Sequence, residues 1–322
     1  MAMLNIMEAK ANRMSAIRSH IKGGAEGLVY EVAPRPVLRP GDVLIEVKAA
    51  AISPAEFTWP PSWVNADGSS RLPVIPSHEI SGVVAEIGSD VTGLAEGQEV
   101  YGLIDFYRDG GAAEFVAAKA VELAPKPHSI DHVHAAAIPL SALTAWQAFR
   151  VRASLEAGQR VLIHGGAGGV GSYAVQIAKA LGAETIATCS AANATFVKQM
   201  GADRVIEYDQ ARFEDFVRDA DLVLDGVGSE TLTRSWGVIR RGGTLISIVD
   251  EPSQETAARL GIRALFFIVE PNRGHLVELA KMVDAGKISP IVSKVFPLHQ
   301  AREAYELGSR GHMRGKIVLS VG

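Results

Sequence analysis

Between residues 160 and 269 the sequence alternates, over and over, between a short β-branched run and a longer run with helical apolar spacing. The short runs read "RVLIHG", "ETIATC", "DRVIEY", "DLVLDGV", "GTLISIV" and "ALFFIV"; stretches such as "GSYAVQIAKALGA" and "ATFVKQMGA" lie between them. Strands that are apolar along their whole length need cover on both faces, and the helices joining parallel strands cross over with a right hand. The alternation therefore predicts an α/β fold with a doubly wound parallel sheet, an architecture that takes dinucleotides where its strand order reverses.

The first strand runs straight into "GGAGGVG", which satisfies the Gly-x-Gly-x-x-Gly spacing at Gly166, Gly168 and Gly171. The spacing alone is weak, and an ordinary tight turn also uses glycine. Its setting, a β-branched strand before and an amphipathic helix after, makes it specific. Small residues are needed for the turn, for close approach of a pyrophosphate and for helix–sheet packing. The N–H groups of Gly169 and Val170 would then face the phosphates. About 20 residues on, where an NAD enzyme places Asp or Glu on the ribose, the chain reads "ATCSAAN", with Ser190 and Asn193 and no acid. A carboxylate there would repel a 2′-phosphate. NADP(H) is the expected cofactor, although the loop carries no Arg or Lys, and Ser190 also suits a helix cap.

The rest of the chain has a different texture. From about Met14 to Pro139 it offers strand-length runs such as "GDVLIEVKAAAI", "SGVVAEIGSD" and "GQEVYGLI", punctuated by Gly, Pro and Asp. "PHSIDHVHAAAIPLSALTAWQAF" turns helical and leads into the second unit. After Pro271 come a helix, "GHLVELAKMVDAG", and a closing strand, "GKIVLSV", with no further βα partner. The expected division is a β-rich domain over 1–140, to which 273–322 returns, and a nucleotide domain over 141–272. At 322 residues the chain has the length for about two domains. A net charge of −4 without runs of one sign argues against nucleic acid or an anionic membrane surface as partner. No window approaches ~20 uninterrupted apolar residues, which excludes a membrane-spanning helix. One cysteine, Cys189, rules out an internal disulfide and a cysteine cage for a metal, and makes a reducing, cytoplasmic setting the default. "MAMLNIMEAKANRM" lacks the apolar core of a signal peptide and reads as a short frayed extension ahead of a body starting near Met14.

Together, "VKAAAISPAEF", "IPSHEISGVVAEIGSDVTGLAEGQEVYG", "AAAIPLSALTAW", "VLIHGGAGGVGSYAVQIAKALGA", "GADRVIEY" and "RGKIVL" resemble the medium-chain dehydrogenase/reductase family, in its zinc-independent quinone oxidoreductase branch. The likeness runs over nearly the whole chain after Met14. It implies a barrel-like, GroES-type catalytic domain beside the Rossmann domain, with the active site in the cleft between them. It also implies cofactor contacts: Thr144 towards the nicotinamide; Val227, Phe267 and Val269 through backbone groups on the nicotinamide ribose and carboxamide; Tyr208 near the adenosine phosphate. Core packing is the plainer reading of such valines and aromatics.

The resemblance bears on metal as well. Zinc alcohol dehydrogenases of this family hold their catalytic ion with a cysteine, the histidine of a Gly-His-Glu segment and a second cysteine. Here "SHEISG" keeps His78 and Glu79, but Ser53 and Leu140 stand at the cysteine positions and the structural zinc lobe is missing. Zinc wants three or four N, S or O ligands at ~2.0–2.3 Å. Glu56 or Glu79 could add a carboxylate, yet Leu140 leaves a gap, and His132 and His134, two apart on a helix start, diverge. No metal site is expected. Without a Lewis acid, alcohol oxidation loses the ion that steadies its alkoxide. Hydride delivery to a quinone or an α,β-unsaturated carbonyl does not need one, since the charge spreads onto an oxygen that hydrogen-bond donors can stabilise. Ser53 stands where quinone reductases of this branch usually carry asparagine and is the one candidate donor. Trp59 and Trp63 replace the tyrosine of related enoyl-thioester reductases and could wall a flat acceptor. The expected function is NADPH-dependent reduction of a small electrophilic quinone or enone. The alternatives are a catalytically silent, crystallin-like NADPH-binding protein and a zinc alcohol dehydrogenase. The apolar edge run "IRALFFIV" adds the expectation of a homodimer.

Overall fold

The computed structural model describes residues 12–311 and 313–322; most of the N-terminal stretch read above as a frayed extension lies outside the described residues. In chain order the strands are β1 (Arg13–Ser19), β2 (Leu28–Pro34), β3 (Asp42–Ile52), β4 (Glu79–Ile87), β5 (Glu99–Leu103), β6 (Phe115–Lys119) and β7 (Leu123–Pro125). Then come β8 (Arg160–His164), β9 (Glu184–Cys189), β10 (Arg204–Glu207), β11 (Ala220–Asp225), β12 (Ile239–Ser247) and β13 (Arg263–Phe266). Last are β14 (Val292–Pro297) and β15 (Lys316–Ser320). Two compact units result: Met1–Leu140 with Glu270–Asp284 and Ile291–Gly322, and Ser141–Val269 with Ala285–Pro290. Residues 285–290 cluster with the second unit, whereas the sequence reading carries them with the returning segment.

In the second unit the sheet order is β10-β9-β8-β11-β12-β13, parallel throughout. This is the doubly wound order, reversing between β8 and β11, as the alternation predicts. Register aligns His164, the last residue of β8, with Asp225, the last of β11. The two loops that leave these strands therefore start side by side. The helix Gly169–Ala180 follows β8 at once and buries Tyr173, Ala174, Val175, Ile177 and Ala178.

In the first unit β3 is the spine. Its eleven residues are almost all buried, and it pairs antiparallel with β15, β4 and β6. The sheet runs β14-β15-β3-β4-β5-β7, with β14 parallel to β15. The returning helix Arg273–Asp284 is tied to this unit at both ends. Tyr101 Oη donates to the Leu276 carbonyl at 2.5 Å, and the Ser129 N–H and hydroxyl donate to Asp284 at 2.9 and 2.8 Å.

A buried histidine steadies the start of the glycine loop. His164 is 2% exposed; its Nδ1 lies 3.1 Å from Thr188 Oγ1 and its Nε2 3.0 Å from Ser235 Oγ. Ser235 already donates to the Thr231 carbonyl, so its oxygen accepts from His164 Nε2–H. Thr188 then donates to Nδ1 while its oxygen accepts the Gly165 N–H at 3.3 Å. The ring is neutral, and burial, with Arg234 second, pushes its pKa down from 6.5 to about 3. Between those values the unfolded chain binds a proton that the folded chain refuses. Stability contributed by this group is thus complete above pH 6.5 and is lost as pH falls towards 3, with a slope approaching ~1.4 kcal/mol per pH unit. We expect His164→Gln to be less stable at neutral pH and to lose stability less steeply between pH 6.5 and 4. Urea melts at several pH values check this; parallel pH profiles for the two proteins would refute it.

Candidate active site and cofactor loops

In the second unit the glycine loop is held by a backbone approach that excludes any side chain. A Cβ on Gly171 would sit 2.0 Å from the Gly165 carbonyl oxygen, and Gly165 itself has φ of +74°. The helix consequently opens at Gly169, and its first-turn N–H groups, Gly169 and Val170 among them, have no intrahelical acceptor. Across the strand reversal, Asp225 ends β11 fully buried. Its carboxylate accepts from the N–H groups of Val227 and Gly228 at 3.0 and 3.1 Å, and burial raises its pKa. This folds the "DGVG" loop back so that Val227, half exposed, lies beside Gly165; a Cβ there would touch Val227 Cγ2 at 3.4 Å.

The loop after β9 holds Ser190 and Asn193 together, with Asn193 Nδ2 donating to Ser190 Oγ at 3.1 Å. Ser190 makes no side-chain cap to the turn that follows. Tyr208 is exposed at the neighbouring strand end, its N–H donating to the Cys189 carbonyl at 3.0 Å. Asp209, absent from the sequence reading, reaches the same loop: both its oxygens accept from the Ala191 N–H, at 3.1 and 3.2 Å. Thr144 is buried on the helix Pro139–Trp146. Phe267 and Val269, just past β13, are buried, and the Arg152 guanidinium lies 5.5 Å from the Phe267 ring centroid. Their side chains are occupied with packing, so only their backbone is available to a ligand.

In the first unit, strand register builds a buried ionic cluster. Ile317 pairs with Ile52 and Ala51 with Glu79, which lines up Lys316, Ser53 and Glu79 at the ends of β15, β3 and β4. The Lys316 ammonium pairs with Glu79 Oε1 and donates to Ser53 Oγ at 2.8 Å. Ser53 Oγ in turn donates to Glu79 Oε1 at 3.3 Å, and the Leu140 N–H donates to Oε2 at 3.0 Å. Both positions expected to hold cysteine in a zinc enzyme thus meet on one carboxylate. Burial raises the Glu79 pKa, opposed by the Lys316 ammonium. Removing either charge would strand the other at a cost of about 3–5 kcal/mol.

His78 lies in an adjoining buried network. Its Nδ1 is 3.2 Å from Glu56 Oε2 and its Nε2 3.1 Å from the Arg108 carbonyl, so both ring nitrogens face acceptors. Glu56 also accepts from the Ser77 N–H at 3.0 Å and from the Tyr305 hydroxyl. Burial, with Glu56 second, keeps the Tyr305 pKa well above 10. Beside this network Trp59 packs on Phe106 with centroids 5.1 Å apart, and Phe106 on His78 at 5.4 Å; Trp59 and Phe106 stay half-buried. Trp63, by contrast, is buried, donates Nε1–H to the Phe57 carbonyl and stacks on Phe57. His132 and His134 do diverge, bonding Ser81 and Asp131 respectively.

The role of Lys316, inside "RGKIVL", is not announced by its sequence neighbours. The available signal was a lysine opening an otherwise apolar strand. Asp209 had no local signal, because its partner lies across a strand pair.

Comparison with known proteins agrees with this architecture. A family model described as an alcohol dehydrogenase GroES-like domain matches residues 39–128, and one described as a zinc-binding dehydrogenase matches residues 200–319. The chain is 34% identical over 305 residues to a probable mitochondrial zinc-binding oxidoreductase of Arthroderma benhamiae, covering 89% of this chain and 91% of the relative. It is 33% identical to a chloroplastic NADPH-dependent alkenal/one oxidoreductase of Arabidopsis thaliana, covering 88% and 73%. Among solved structures, a quinone oxidoreductase from Coxiella burnetii superposes with a TM-score of 0.88 at 32% identity, covering 96% and 100%. The chain belongs to the medium-chain dehydrogenase/reductase family, in its quinone oxidoreductase branch.

Proposed function

We propose that this protein is an NADPH-dependent reductase of conjugated carbonyl compounds, quinones or enones, that works without a metal ion. The fold, the glycine loop and the relatives' names support an oxidoreductase that uses NADP(H). The observation that carries the metal-free reading is the Lys316 ammonium lying against Glu79 and Ser53. A positive charge already stands among the residues a zinc ion would need, and both nitrogens of His78 face other partners. Zinc appears in the description of one family model and in the name of the Arthroderma relative, but these residues do not fit it.

The chemistry assigned to the chain is modest. NADPH, when bound, supplies the hydride. Gly169 and Val170 would hold its pyrophosphate through their N–H groups, Val227 its nicotinamide ribose, and Ser190 and Asn193 its adenosine ribose. Thr144, Tyr208 and the backbone of Phe267 and Val269 would complete the contacts. On the acceptor side, Ser53 would turn its hydroxyl from the long contact with Glu79 to the substrate oxygen, with the Lys316 ammonium hydrogen-bonded behind it. That chain of donors strengthens as charge builds on the oxygen. Trp59 and Phe106, half-buried with their rings tilted 60° to each other, supply an aromatic surface. The relative named for alkenals and enones and the structure named for quinones support the acceptor class.

The direct test is NADPH consumption with a panel of quinones, enals and enones. Binding of NADPH without turnover of any of them would instead support a silent binding protein. Ser53→Ala should lower kcat by roughly 10²-fold while leaving the KM for NADPH nearly unchanged, the signature of a donor used on the acceptor alone. A kcat that stays within error removes Ser53 from the mechanism. Purified enzyme should hold no stoichiometric zinc and keep its activity in chelator; one zinc per chain, lost together with activity, would sink the metal-free reading.

The homodimer belongs to the same proposal. β13 is the sheet edge, and Phe266 and Ile268 on and beyond it are exposed. An apolar edge of this kind pairs readily with its own copy about a two-fold axis. Light scattering at micromolar concentration should give the dimer mass, and Ile268→Lys should shift it towards monomer. A monomer mass for the unmodified chain overturns the proposal.

A further inference from the structure

The loop after β9 is where a 2′-phosphate would distinguish NADPH from NADH, and a carboxylate from the next strand lies against it. Its only sequence neighbours are small and uncharged, "ATCSAAN". What reaches it from the next strand is a carboxylate. Asp209 is exposed and lies with both oxygens on the Ala191 N–H, one residue past Ser190 and two before Asn193. Glu207, the register partner of Cys189, adds a second carboxylate at the same strand end. Their field is felt locally: burial first, then Glu207 and Asp209, push the Cys189 thiol up to about 11.

We propose that Asp209 is a specificity-determining residue: its carboxylate, held on Ala191 beside Ser190 and Asn193, weakens binding of the 2′-phosphorylated cofactor and keeps NADH usable. The inference rests on reading this loop as the adenosine-ribose site. A phosphate of about −1.5 to −2 charge entering there meets a fixed negative charge, and the amide that would serve it already has an acceptor. The 2′-hydroxyl of NADH carries no charge and can donate a hydrogen bond to a carboxylate. Asp209 is therefore expected to act on the ratio of the two cofactors and not on the hydride step.

The substitution Asp209→Asn removes the charge and keeps a carbonyl oxygen for Ala191. We expect it to raise the NADPH:NADH ratio of kcat/KM about tenfold, the size of one charge-assisted contact, with NADH unchanged or slightly worse. Calorimetric titration with 2′,5′-ADP and with 5′-AMP reads the same effect without catalysis: the first should bind about tenfold tighter, the second as before. Added salt should narrow the gap between wild type and variant, because the interaction is exposed. If Asp209→Asn lowers the melting temperature, Asp209→Ser, which keeps a shorter acceptor, is titrated beside it and should move 2′,5′-ADP in the same direction. A wild type that binds both probes, with a ratio neither substitution alters, overturns the role of Asp209 alone. A wild type that binds neither probe overturns the loop assignment and this inference with it.

Discussion

The second unit depends on one close approach. The helix that begins at Gly169 passes so near the Gly165 carbonyl that a single methyl group at Gly171 would overlap it. That contact fixes where the helix starts and which way its first N–H groups point. The strand ends beside it are buried and fully hydrogen-bonded. His164 and Asp225 stand in register at the ends of β8 and β11, each buried; His164 bonds Thr188, which takes the Gly165 N–H, and Asp225 accepts from the loop N–H groups beside it. One is kept uncharged by burial and the other is satisfied by backbone N–H groups. The floor of the proposed cofactor site is thus set by two side chains that need never touch a ligand.

The first unit solves a different problem, how to keep a donor polarised away from bulk water. A buried ion pair is weak evidence for stability, since desolvation offsets much of its attraction. Its value here lies in geometry. Glu79 receives Lys316, Ser53 and the Leu140 N–H, so the serine hydroxyl has a fixed position and a cation behind it. The adjoining Glu56, His78, Ser77 and Tyr305 network is a second closed set of partners. Between them, the titratable groups of this region are matched to one another.

How much of this could be read from the chain follows from the range of each interaction. Strand and helix alternation, the glycine loop and the doubly wound order are local or nearly so, and the six β-branched runs quoted from sequence are the six strands of the sheet. The return of the C-terminal strand to the first unit was legible because it lacked a βα partner. Side-chain partnership over long separations was not. Lys316 meets Ser53 only because β15 pairs antiparallel with β3, and no spacing rule announces that register. The absence of an acid near Ser190 was true of the loop and false of the space around it, because a parallel neighbour delivered Asp209. Phe267 carried two readings, a backbone contact implied by the resemblance and plain core packing, and its buried ring is compatible with both.

The order of the strands along the chain also sets an order of events during synthesis. β3 precedes the nucleotide unit in the chain, yet β15, one of its sheet neighbours, follows all six strands of that unit. Until β15 is made, the nucleotide unit has all six of its strands, but the edge of β3 along Ala49–Ile52 is open and Glu79 has no cation. Open edges invite pairing with other chains, and domains made early usually close early. Here the domain begun first is finished last. A nascent chain of this kind carries its aggregation hazard until β15 is made, and a stop codon a few residues before Lys316 removes the closing strand and the charge that neutralises the core in a single step.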